Sequence, residues 1–241
     1  MFQLFPYSGR NRQSTSSGLL GSPEESLVCL NDSNGPAAEA FRMLGIQLRD
    51  LSQTSQLKTI LITSSIPQEG KSTVSANLAS VLAKHERQRV LLLEGDVRRP
   101  GLSKMFGLEG APGLCDLLAG RLTHRACTTY LPSPDLWIMP AGQPHGNPLE
   151  LLQSGRLGTL MTQLKEAFDI VIVDSPPLLP LADTSIWMRL VDGVLLVTRT
   201  GTTVKHVLAK VLDLLPTSKL IGAVLNGSTD SNYSAYYYLR N

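Results

Sequence analysis

Apolar runs alternate with helical periods along most of the chain. Leu57 to Ser64, Arg89 to Asp96, Leu136 to Ala141, Ile170 to Val173, Gly193 to Thr198 and Leu220 to Leu225 predict strands. The second of these carries four consecutive apolar residues, Val90 to Leu93. Between them, Ser72 to Lys84, Gly113 to Ala119, Leu149 to Phe168 (interrupted near Gly155), Asp183 to Leu190 and Val204 to Leu215 predict helices. An earlier helix starts at Pro36, where Ala37, Ala38, Phe41, Leu44, Ile46 and Leu48 alternate with Glu39, Arg42 and Arg49. It breaks at Ser52 to Gln56. Continuously apolar strands separated by helices imply a mainly parallel sheet covered on both faces, a doubly wound α/β domain over residues 36–230. Residues 1–35 are rich in Ser, Gly, Asn and Pro without a sustained period and read as a flexible N-terminal arm. Residues 231–241 read as a polar C-terminal tail.

Composition narrows the class. The 241 residues are 42% hydrophobic and 17% charged, the balance of a globular domain. A net charge of +2 gives no electrostatic footprint for nucleic acid. Cys29, Cys115 and Cys127 lie far apart, which excludes a CxxC zinc site and fits a reducing compartment. His85, His124, His145 and His206 are equally scattered. No run approaches the roughly 18–20 apolar residues of a membrane span, and Arg10 and Arg12 interrupt any signal-peptide core. The expected location is cytoplasmic.

The first strand runs into Ser65-Ile66-Pro67-Gln68-Glu69-Gly70-Lys71-Ser72-Thr73, and a helix follows. A tight strand-to-helix turn aims backbone N–H groups and a helix N-terminus at phosphate oxygens. Gly70 permits close approach, Lys71 reaches the β/γ-phosphates, and the Ser72 hydroxyl ligates Mg²⁺. Ser65 replaces the usual first glycine. Two further strands end in acids: Val90–Leu93 leads to Glu94-Gly95-Asp96, and Ile170–Val173 leads to Asp174. Ligands of open parallel sheets bind beyond such carboxyl ends. The chain is therefore expected to have a P-loop NTPase fold that binds ATP and Mg²⁺. Asp183, after Pro180, reads as a helix N-cap.

Three segments carry a family resemblance: Ser-Ser-x-Pro-x-Glu-Gly-Lys-Ser (64–72), Leu-Leu-Leu-Glu-Gly-Asp-Val-Arg-Arg-Pro (91–100) and Asp-Ile-Val-Ile-Val-Asp-Ser-Pro-Pro (169–177). Together they resemble the bacterial tyrosine autokinases of capsule and exopolysaccharide export, a branch of the Min/Par-type ATPases. The phosphate loop lacks the early lysine of the Min/Par proteins. The resemblance implies that Lys71 contacts phosphate and that Thr73 lies beside the α-phosphate. It implies Ser72, Glu94 and Asp174 around Mg²⁺, Asp96 as the base toward a tyrosine hydroxyl, and Asn226 near adenine. The second motif is normally Asp-x-Asp, so Glu94 is a departure that bears on catalytic rate.

Four of the six tyrosines, Tyr233, Tyr236, Tyr237 and Tyr238, end the chain, where the resemblance expects autophosphorylation sites. It also implies ring assembly through a helix bearing Glu-x-x-Arg-x-x-Arg. Glu39 and Arg42 match, while Gly45 stands in place of the second arginine. A membrane adaptor recruiting the kinase to the inner face of the cell membrane, and a cognate tyrosine phosphatase, are the implied partners. Two other readings remain open: a nucleotide-binding scaffold of the export machinery with weak or absent kinase activity, and a Min/Par-like ATPase.

Overall fold

The apolar runs become neighbouring strands of a single sheet in the computed structural model, which describes residues 27–31, 35–86, 88–144, 146–179 and 183–228. The strands are β1 (Thr59–Ser64), β2 (Val90–Glu94), β3 (Thr129–Leu131), β4 (Leu136–Met139), β5 (Ile170–Asp174), β6 (Gly193–Arg199) and β7 (Leu220–Asn226). Their order is β3-β4-β2-β5-β1-β6-β7. Every pairing is parallel except β3 with β4. The doubly wound, mainly parallel expectation therefore holds, with one short antiparallel edge strand that the sequence pattern did not reveal.

Alternation along the strands divides the core. Ile60, Ile62, Val90, Leu92, Ile170 and Ile172 pack beneath α2 (Pro36–Ser55) and α3 (Lys71–Glu86), together with α1 (Val28–Asn31) and α4 (Leu102–Met105). Leu61, Leu91, Leu93, Val171 and Val173 face the opposite layer. That layer contains α5 (Leu114–Leu118), α6 (Pro148–Gln153), α7 (Gly155–Ala167), α8 (Asp183–Leu190) and α9 (Lys205–Leu214). The break expected near Gly155 falls at Ser154, which ends α6 in extended backbone and precedes α7. The three cysteine thiols are free and buried, and burial pushes each up to about 11, so none is a nucleophile near neutral pH.

The packed domain reaches back beyond the boundary expected at Pro36. Leu27 is fully buried, and the Cys29 N–H donates to Asn77 Oδ1 of α3 at 2.9 Å. A short helix in a Ser-rich stretch is thus held by its contacts with α2 and α3 rather than by a period of its own. Position 45 also has a structural reason. A β-carbon there would lie 3.0 Å from Val81 Cγ1, so glycine lets α2 approach α3 closely.

Candidate active site

The phosphate loop bridges β1 and α3, which begins at Lys71. Gly70 has φ +91°, a backbone geometry that side-chain-bearing residues rarely adopt, and its carbonyl accepts from Val74 N at 2.9 Å. A β-carbon on Gly70 would also collide with Asn226, whose Nδ2 donates to Glu69 O at 3.0 Å. Asn226, expected beside the adenine, thus rests directly on the phosphate loop.

Four of the expected site residues converge at the carboxyl ends of the strands. Lys71 Nζ lies 3.2 Å from Asp96 Oδ2. Asp96 Oδ1 accepts from Arg99 N at 3.0 Å, which fixes the carboxylate from behind. Ser72 Oγ donates to Asp174 Oδ2 at 2.6 Å, and Ser75 Oγ reaches Asp174 Oδ1 at 3.3 Å. Thr73 follows in the first turn of α3. Asp174 is fully buried, and burial pushes its carboxyl up to about 6; Lys71 and the Ser72 bond oppose the shift, while Glu94 and Asp96 add to it.

Glu94 has a different occupation from the one expected. It is the register partner of Asp174 across β2 and β5, yet its carboxylate oxygens are taken up by protein donors. One oxygen accepts from Leu102 N at 2.6 Å, and the other from Ala141 N at 3.0 Å and from the Ser103 hydroxyl. Burial raises its pKa, and these hydrogen bonds work against the rise. The side chain ties the start of α4 and the end of β4 to the end of β2. A carboxylate engaged with these two segments gives no support to a direct metal role for Glu94.

Three further residues shape the site in roles that the sequence reading did not assign. Glu69 is buried in the phosphate loop and accepts from Ile66 N at 3.0 Å and from the Thr203 hydroxyl. Trp187 of α8 is fully buried and donates its indole N–H to Gly95 O at 3.3 Å, supporting the turn that carries Asp96. Asp183 opens α8 and is also paired with Arg98 of the second motif, at 2.7 Å. Glu69 left a signal in the sequence because it lies inside the recognised loop, and Asp183 because it stands at the expected helix start; Trp187 left none.

These donors suit a magnesium nucleotide. Among the described residues no group of three or more His, Cys, Asp or Glu side chains is arranged to hold a metal alone. Mg²⁺ in phosphate sites commonly takes one or two protein oxygens and completes its shell with phosphate and water. Ser72 and Asp174 supply such oxygens, and Lys71 supplies a cation. The buried Ser65 hydroxyl, at the start of the loop, has no hydrogen-bond partner among the described residues.

Elsewhere, Glu39 and Arg42 form an ion pair along the accessible side of α2. Tyr233, Tyr236, Tyr237 and Tyr238 lie outside the described residues. No described helix is long and apolar enough to cross a membrane.

No family model matches the chain. Individual proteins do. The tyrosine-protein kinase YwqD of Bacillus subtilis is 34% identical over 217 residues, covering 89% of this chain and 91% of that protein. The succinoglycan biosynthesis transport protein ExoP of Rhizobium meliloti is 34% identical over 206 residues, but the chain spans only 26% of its length. Among solved structures, the kinase domain of the Escherichia coli tyrosine kinase Etk superposes with a TM-score of 0.79 at 30% identity, covering 83% of this chain and 79% of that one. The cell division ATPase MinD of Pyrococcus furiosus is more distant, with a TM-score of 0.59 at 27% identity over 72% of this chain and 74% of that one.

Proposed function

The chain belongs to the bacterial tyrosine-protein kinases, and from that premise we propose that it transfers the γ-phosphoryl group of ATP to the tyrosines of its own C-terminal tail. The observation that carries the proposal is the meeting of Lys71 with Asp96 and of Ser72 with Asp174 at one end of the sheet. Lys71 binds phosphate oxygens. As it does so it turns from Asp96, whose carboxylate then accepts the proton of the attacking tyrosine hydroxyl. The new bond joins that hydroxyl oxygen to phosphorus, the β–γ bridging bond breaks, and ADP carries away the electron pair. Ser72 and Asp174 would hold Mg²⁺, which, when bound, offsets the charge on the phosphate oxygens. Gly70 and the N-terminus of α3 present backbone N–H groups to the same oxygens.

The names of relatives such as ExoP support a place in the synthesis and export of a surface polysaccharide. Recruitment by a membrane adaptor, reversal by a tyrosine phosphatase, and self-association through Glu39 and Arg42 belong to the same proposal. A second reading is a nucleotide-dependent scaffold with little transfer activity. It is favoured by the engagement of Glu94 with α4 and Ala141, which occupies that carboxylate with protein donors.

Phosphosite mapping by mass spectrometry after incubation with ATP and Mg²⁺ separates the two. Phosphate on Tyr233, Tyr236, Tyr237 or Tyr238 in the wild type, absent from Lys71→Met, is the expected result. Intact nucleotide binding without phosphotyrosine, even with an adaptor's cytoplasmic segment present, would favour the scaffold.

A further inference from the structure

We propose that Glu69 is a positioning residue for the nucleotide: its buried carboxylate fastens the phosphate loop to the loop after β6 and sets the shape of the phosphate cradle before nucleotide arrives. This rests on the nucleotide-binding reading of the same site. Glu69 is fully buried, and its two oxygens serve different segments. One accepts from Ile66 N, at the start of the phosphate loop. The other accepts from the hydroxyl of Thr203, which lies 134 residues away in the chain.

Thr203 is itself held by the turn after β6. Its hydroxyl accepts from Arg199 N at 2.9 Å, and its N–H donates to Arg199 O at 3.1 Å. The same turn joins the end of β7, where Thr200 N donates to Asn226 O at 3.0 Å. Asn226 closes the circuit by donating to Glu69 O and filling the space above Gly70. The backbone between Ile66 and Gly70 is thus held through Glu69 at both ends, from inside the loop and from β6 and β7. It includes Gly70 at φ 91° and Gln68 at φ 68°, the second a conformation that a residue with a side chain seldom holds unaided. Preorganised N–H groups bind an anion without the cost of ordering them at the moment of binding.

Lys71, Ser72, Asp96 and Asp174 take no part in these bonds, so the link can be cut without touching them. In Thr203→Val, Arg199 N turns to water because that backbone is exposed, whereas the buried Glu69 oxygen has no such recourse. Thr203→Ser keeps the hydroxyl. In Glu69→Gln one of the two donors meets an amide N–H instead of an oxygen.

The test uses the full-length protein, with Mg²⁺–ADP as the probe in titration calorimetry, thermal unfolding without nucleotide, and phosphotransfer kinetics over ATP concentration. Thr203→Val is expected to weaken ADP binding about tenfold, with a rise in KM for ATP that exceeds any fall in kcat. Thr203→Ser should recover binding, and Glu69→Gln, whose amide can still accept from Ile66 N and donate to the Thr203 hydroxyl, should fall between wild type and Thr203→Val. A Thr203→Val protein with a lowered unfolding midpoint but ADP affinity within about twofold of wild type would overturn the proposal, leaving Glu69 a stability residue only. If Glu69→Gln does not fold, the Thr203 pair decides alone. Absence of ADP binding by the wild type would overturn the nucleotide reading, and this proposal with it, a result distinct from either of the others.

Discussion

The side-chain amide of Asn226 stands where residue 70 would carry a β-carbon: a Cβ built on Gly70 falls 2.0 Å from Asn226 Nδ2. The end of the last strand therefore restricts the phosphate loop to glycine by occupancy, in addition to the restriction that its φ imposes.

Gly70→Ala is expected to abolish measurable Mg²⁺–ADP binding in calorimetry. The double variant Gly70→Ala/Asn226→Gly removes the collision but keeps the unfavourable φ, which costs about 1–2 kcal/mol. It should recover binding only in part. Full recovery would show that occupancy alone matters, and no recovery would leave the effect with the backbone geometry at residue 70 together with the lost Asn226 bond to Glu69 O.

Asp174 makes stability depend on pH in an unusual direction. Its carboxyl is raised from 3.8 to about 6, so the folded protein holds a proton there that the unfolded chain has released. The contribution of Asp174 to stability without nucleotide should consequently fall as pH rises from 3.8 to about 6 and level off above. Asp169 and Asp192, whose carboxyls are held below their usual range, contribute in the opposite direction. Urea unfolding across that window checks this, and Asp174→Asn should lose the falling part of the profile. Binding of Mg²⁺ requires the carboxylate, so the metal-dependent part of ADP affinity should weaken as pH drops through the same range.

Restoring the second arginine of the assembly motif should harm the fold. Position 45 is buried against α3, and a β-carbon added there would fall 3.0 Å from Val81 Cγ1, so Gly45→Arg forces a charged side chain into a helix contact. A loss of about 2 kcal/mol or more is expected in chemical unfolding. A variant as stable as wild type would mean that α2 can shift on α3.

Gly95→Ala probes the support beneath Asp96. The added methyl would meet Trp187 Cε2 at 2.9 Å and Asp174 O at 3.0 Å, both inside the core. Overpacking of this kind costs about 1–3 kcal/mol. The expected result is lower stability together with a changed Trp187 emission spectrum and slower phosphotransfer, since the turn carrying Asp96 must move.

The legible part of the sequence was the part where one physical pattern acts alone. Strands such as β2 and β5 are buried on both faces, so Val90–Leu93 and Ile170–Val173 read as unbroken apolar runs. The phosphate loop was legible because its glycine, lysine and serine must follow a strand and precede a helix. β3 was not, since its three residues, Thr129, Tyr130 and Leu131, sit at the sheet edge and only Leu131 is buried. The helices at Val28–Asn31 and Leu102–Met105 are too short for a period and exist through contacts from elsewhere. Glu94 was placed correctly at a strand end, but the direction of its side chain depends on α4 and on Ala141, which no local pattern reports.

That direction also bears on the departure from Asp-x-Asp. Set against the motif, Glu94 looks like a defect, and a change to aspartate looks like a repair. Here the extra methylene spans to Leu102 N, Ser103 and Ala141 N, groups contributed by two segments that have settled around it. Glu94→Asp would leave buried donors without an acceptor, and urea unfolding should register a loss of about 1–3 kcal/mol. The motif's usual letter no longer fits the word around it: a deviation when read along the chain is a requirement once the chain has folded.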